Sequence, residues 1–136
     1  PMYYLDRMKN TPEQIAALKV RDDGKPVHML NLLSFREKAE YEDGRKTTLT
    51  GYEAYGLYGE VVSKLITERG GRILFTAAVD GMVVGEVEDV WDAVAIAEYP
   101  SLDTFLNMIS SQEWLEAEVH RTAGLKGQLN IATKRS

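Results

Sequence analysis

A chain of 136 residues, 44% hydrophobic and 27% charged, has the makeup of one ordinary globular domain. Its net charge of −5 argues against nucleic acid as a partner, since modules that bind a phosphate backbone cluster Lys and Arg. No apolar run approaches the roughly 20 residues of a membrane helix. With no cysteine, the chain has no thiol nucleophile, thiolate metal site or disulfide, so its chemistry rests on oxygen and nitrogen groups.

The opening PMYYLDRMKN shows no secretory apolar region, and the expected location is the cytoplasm. Thr11-Pro12-Glu13-Gln14 supplies an N-cap, a proline at the first helical position and a Gln that closes a capping box. A short helix is predicted from there to about Val20. Residues 1–25 thus form a leader with a short helix, and residues 26–136 the domain proper. After the turn Asp22-Asp23-Gly24-Lys25, Pro26 opens a first strand, Val27 to Phe35.

The next stretch, Arg36 to Leu49, is polar and lacks either period. It is long for a connection and is expected to be a lid or disordered. A second capping box, Thr50-Gly51-Tyr52-Glu53, starts a helix of about five turns carrying Tyr55, Tyr58, Val62, Leu65 and Ile66, closed by Gly70-Gly71. Arg72 to Val79 reads as strand two, and Asp80-Gly81 as a tight turn with Met82 to Gly85 as a short hairpin partner. Strand three is Val90 to Pro100. Ser101 caps a helix, a second helical piece runs from Ser111 through Thr122 to a stop at Gly124, and Gln128 to Thr133 is the last strand. The order βαββαβ is a ferredoxin-like α+β fold: a four-stranded antiparallel sheet with its helices on one face and the other face bare.

Strands one and three are apolar on both faces. In strand three one face carries Trp91, Ala93, Ala95, Ala97 and Tyr99, the other Asp92, Val94, Ile96 and Glu98. The chain has too few helices to cover both faces, so a second copy of the sheet is the expected cover and a homodimer through sheet faces the expected partner.

Several segments also carry a resemblance: His28-Met29-Leu30-Asn31-Leu32-Leu33-Ser34-Phe35-Arg36, the helix segment Gly51 to Gly59, Trp91-Asp92, Glu98-Tyr99-Pro100-Ser101, and His120-Arg121-Thr122-Ala123-Gly124-Leu125. In order and spacing, from about Thr11 to Thr133, they resemble the domain-of-unknown-function family 1330. The resemblance implies a dimeric α+β barrel, similar in fold to cofactor-free monooxygenases, muconolactone isomerases and haem-binding chlorite dismutases with pockets between sheet and helices. Such kinship does not transfer a reaction. The row Ala93, Ala95 and Ala97 departs from the family pattern, and either lets another layer approach or leaves room for a ligand.

Candidate catalytic residues are His28, Asn31, Tyr55 and His120; candidate substrate-binding residues are Arg36, Tyr58, Trp91 and Arg121. Asn31, polar on an apolar strand face, either polarises a carbonyl or ties down a neighbouring strand. Tyr55 and Tyr58 join the apolar helix stripe and either donate to a substrate oxygen or serve as core. His28 and His120 are the only side chains titrating near neutrality in their unperturbed state, and one of them would move a proton. Arg121 either grips a substrate carboxylate or pairs with an inward acid such as Asp92 or Glu98. Those two acids lie six residues apart on one strand, roughly 20 Å, too far for a paired-carboxylate hydrolase. No metal site and no bound cofactor are indicated; haem ligation by a lone His is a third reading. The Pro1 amine is a possible base of the tautomerase kind, set against it the leader and helix that precede strand one.

The expected function is that of a cofactor-independent enzyme, monooxygenase-, isomerase- or lyase-like, acting on a small oxygenated organic acid in a pocket roofed by residues 36–49. The alternative is a non-catalytic small-molecule-binding or interaction domain.

Overall fold

The computed structural model describes residues 8–136; Pro1 lies outside them. Four helices and four strands follow in the order α1 (Pro12–Arg21), β1 (Val27–Phe35), α2 (Gly51–Glu68), β2 (Arg72–Ala78), β3 (Ala93–Tyr99), α3 (Leu102–Ile109), α4 (Gln112–Gly124) and β4 (Leu125–Thr133). Both capping boxes form: Thr11 and Gln14 start α1, and Thr50 and Glu53 start α2. Each satisfies two helix N–H groups that would otherwise lack partners.

The sheet runs β2-β3-β1-β4 with every neighbouring pair antiparallel. Register decides what each face holds. Met29 stands opposite Ala97 and Asn31 opposite Ala95, so the odd-numbered residues of β1 and β3 share one face. On that face Val27, Met29, Ala97 and Tyr99 pack with Val62, Leu65 and Ile66 of α2 and Leu102, Phe105 and Met108 of α3. Ile66 and Met108 are both 1% exposed, and burying each such side chain stabilises the fold by about 1.5–3 kcal/mol.

Helix α2 crosses α4 at two glycines. A Cβ on Gly51 would collide with the carbonyls of Arg36 and Gly124, and one on Gly124 with the carbonyl of Gly51. This contact ties the start of α2 to the end of α4.

The other face presents His28, Leu30, Leu32 and Ser34 from β1, Val94, Ile96 and Glu98 from β3, and, by register, Phe75 from β2 and Leu129 and Ile131 from β4. Phe75 and Ile131 are 55% and 43% exposed. The bare apolar face expected from the sequence is therefore present.

Three boundaries differ from expectation. Met82 to Gly85 forms no strand: β2 leaves the ladder after Ala78, and Gly85 has a φ of 92° that an extended strand does not use. Strand β3 begins at Ala93 because the Asp92 carboxylate accepts the Phe35 N–H at 2.8 Å, replacing a ladder bond with a side-chain bond. Strand β4 begins three residues earlier than predicted, at Leu125. Its N–H still bonds to Arg121 of α4, so helix passes directly into strand beside a bulge at Ser34/Phe35. The connection 36–49 is held down as well. Ala39 and Glu40 donate to the carbonyls of Leu49 and Ala123, and buried Ala39 and Tyr41 pack on Ala54 and Ala123.

Candidate functional site

The alternation of β1 separates the sequence-predicted residues. Asn31 points to the helix side, whereas His28 points to the bare side. The two histidines are thus not brought into one site, and only the groups on the helix side meet.

There a chain of half-buried amides ends on a guanidinium. The Asn31 amide donates to the carbonyls of Met29 at 3.3 Å and Ala95 at 3.2 Å, while its oxygen accepts from Gln128 Nε2 at 2.8 Å. The Gln128 oxygen accepts from Arg121 Nε at 3.0 Å, and Arg121 Nη2 donates to the Met8 carbonyl at 2.7 Å. Arg121 Nη1 is buried and donates no hydrogen bond among the described residues. The nearest anion, Glu118 one turn back on α4, stands 3.7 Å away. Arg121 therefore pairs with neither Asp92, which caps Phe35, nor Glu98, which lies on the opposite face. Strand alternation is the reason the expected pairing fails.

Tyr55 and Tyr58 line the same interior, their ring centroids 5.3 Å apart, and Tyr58 accepts a hydrogen bond from Trp114 Nε1 at 3.2 Å. Burial pushes both phenols above their ordinary range, and the Arg121 charge offsets only part of that. Both are protonated donors at neutral pH. Tyr55 also packs at a tilt against Phe35, whose ring contacts Tyr52 edge-on.

His120, adjacent to Arg121 on α4, meets a residue the sequence reading did not single out. Its Nδ1 lies 2.7 Å from the Tyr41 hydroxyl, and Arg45 sits 4.6 Å above the Tyr41 ring while its fork grips Asp43. Burial, and after it the Arg45 charge, holds the imidazole below its ordinary pKa. It is neutral at pH 7 and can accept a proton. A hollow of about 220 Å³ opens beside this pair, lined by Lys9, Tyr41, Glu42, Asp43, Glu118, Val119 and Thr122. Residues 41–43 of the connection wall that hollow. Tyr41 lies in a stretch without motif or period, and Gln128 reads only as the polar face of the last strand, so their tertiary partners alone mark them.

The remaining candidates sit apart. Arg36 pairs with Glu40 at 3.2 Å on a partly exposed loop, and Trp91 is half-buried at the foot of the 79–92 connection. On the bare face His28 donates through Nε2 to Glu98 at 2.8 Å, and Arg72 reaches the other carboxylate oxygen at 3.2 Å. The His28 bond first, and Arg72 after it, hold the Glu98 carboxyl below the usual carboxylate range. Among the described residues no group of three acidic, His or Cys side chains is placed to hold a metal ion. No helix among them is long and apolar enough to cross a membrane.

Residues 45–134 match the family described as Domain of unknown function (DUF1330). The chain belongs to that family. A protein of unknown function from Rhodopseudomonas palustris, 33% identical, superposes on this DUF1330 chain with a TM-score of 0.86, covering 97% of this chain and 98% of that one. A dimeric protein of unknown function with a ferredoxin-like fold from Bacteroides fragilis superposes with a TM-score of 0.52 at 12% identity, over 84% of this chain and 99% of that one. A hydroxynitrile lyase from Passiflora edulis gives 0.52 at 14% identity, over 81% and 93%. At such identities the last two establish the ferredoxin-like α+β fold alone. None of the curated proteins matches the chain.

Proposed function

We propose that this DUF1330 protein is a homodimer joined through the bare sheet faces, and that each subunit binds a small oxygenated organic acid at Arg121 and acts on it without a bound cofactor. The observation that carries this reading is Arg121 Nη1, a buried cationic N–H with no hydrogen-bond acceptor among the described residues. Glu118 at 3.7 Å balances the charge but stands beyond hydrogen-bond reach; a buried N–H without an acceptor is costly, and a ligand carboxylate would supply one. Protonated Tyr55 then donates to a carbonyl or enolate oxygen. Neutral His120, oriented by Tyr41, is the group that moves the proton. His28, on the far side of the sheet, has no part in this site.

Thermal shift against a panel of hydroxy- and keto-acids tests the proposal. Stabilisation of the wild-type chain that disappears in Arg121→Gln and weakens in Tyr55→Phe supports it. Equal stabilisation of all three proteins rejects it.

One observation favours the second reading, binding without turnover. The Asn31 amide is fully engaged by Met29, Ala95 and Gln128, which leaves it no hydrogen to offer a substrate. Asn31 then positions Gln128 and Arg121, and ligand recovered chemically unchanged after long incubation is the expected result.

A further inference from the structure

The segment between β2 and β3, residues 79–92, is unlike the rest of the molecule. It carries five acids (Asp80, Glu86, Glu88, Asp89 and Asp92) and no Lys or Arg. Its tip is apolar and uncovered: Val83 is 97% exposed, Val84 85% and Met82 49%. Single exposed apolar residues are ordinary, but three in succession at a loop tip mark a contact surface. The foot is anchored, with Asp92 bonded to Leu33 and Phe35 and Asp89 4.0 Å from Lys126, so the segment is an arm on a fixed base.

The opposite end of the bare face carries the complementary charge. A single carboxylate there, Glu98, serves His28 at 2.8 Å, Arg72 at 3.2 Å and Arg135 at 4.0 Å. The Arg72 and Arg135 side chains remain 67% and 69% exposed, leaving cation in excess.

We propose that the arm of each protomer docks on the Arg72–Glu98–Arg135 end of a second copy of this chain. The inference rests on the sheet-to-sheet dimer and selects between its two aligned stackings. A two-fold axis along the strands places acidic arm beside acidic arm and cationic end beside cationic end. A two-fold axis across the strands, in the plane between the sheets, places arm on cationic end twice, as an isologous contact requires. That second stacking joins opposite charges, and like charges brought together would cost energy. It also needs little reach. Packed sheets lie about 10 Å apart, and a hairpin-like arm of this length spans on the order of 20 Å. The apolar tip then finds cover against the partner's edge strand β2.

The cysteine-free chain gives a clean test. The double variant Val83→Cys/Arg72→Cys and each single variant are oxidised at low concentration, and the products are separated without reductant. Each protein's assembly state is also read by native mass spectrometry. Covalent dimer from the double variant alone, together with at least tenfold weaker dimerisation of Val83→Asp/Val84→Asp, is the expected result. Covalent dimer from Val83→Cys by itself places arm against arm and overturns the proposal. A non-covalent dimer that none of the three variants cross-links refutes the arm while sparing the sheet contact. A wild-type monomer removes both.

Discussion

The two faces of the sheet use the same strands for opposite purposes. On the helix side, the odd residues of β1 and β3 enter a core closed by α2 and α3, and beside it Asn31, Gln128 and Arg121 bond in series. On the bare side the even residues are apolar at the centre, and a charged cluster at one end faces solvent. One side bonds its polar atoms within the chain except for Arg121 Nη1; the other leaves apolar surface for something outside it. Period two along a strand is enough to produce this division.

Equal truncations on the two faces should cost unequal amounts. Ile66→Ala, on the helix side, is expected to lower unfolding free energy by about 2–5 kcal/mol, because the enclosed site cannot collapse around the lost atoms. Ile131→Ala, 43% exposed, should cost under about 1 kcal/mol when measured in urea at concentrations that keep the protein monomeric. Similar values for the two would mean that the bare face is covered within the chain.

Breaking the amide series is the next largest effect. Gln128→Leu strands Arg121 Nε and the Asn31 oxygen, and a loss of about 1–3 kcal/mol is expected from the unsatisfied groups. Loss of ligand stabilisation in the same variant, out of proportion to stability, would identify the series as the support of Arg121.

His120 supplies a pH signature on the helix side. Its folded pKa is depressed, so between that value and the ordinary 6.5 the unfolded chain binds more protons than the folded one. Its contribution is complete above the unfolded pKa and is lost as pH falls through the folded value. The faced groups are the Tyr41 hydroxyl and the Arg45 guanidinium. Stability of His120→Gln should therefore fall less between pH 7 and pH 5 than that of the wild type in urea titrations at each pH; parallel curves would remove His120 as the sensor. The smallest effect belongs to Arg72→Ala, whose exposed ion pair should contribute less than about 1 kcal/mol and nothing in high salt.

Much of this comparison was legible in the sequence. Capping boxes at Thr11 and Thr50, the glycine pair after α2, and alternation in the Val27 and Val90 segments specify local structure by short-range chemistry, and they gave the elements, the order and the bare face. The hairpin strand at Met82 to Gly85 was misread because local propensity there has no tertiary pairing behind it. Of the site, Arg121, Asn31 and Tyr55 were visible as polar groups on apolar patterns. The Tyr41 contact with His120 and the Gln128 link to Arg121 span 79 and 7 residues, and neither has a spacing that a motif could reveal. The separation of His28 from His120 needed only the face of each, which strand alternation gives for His28 but which nothing local gives for His120.

Native mass spectrometry of the wild-type chain beside Ile96→Asp, a charge placed at the centre of the bare face, tests the division of labour most directly. The account predicts a wild-type mass of twice the 15.3 kDa chain and a folded single chain for the variant. A wild-type monomer, or a variant dimer as stable as the wild type, would contradict it.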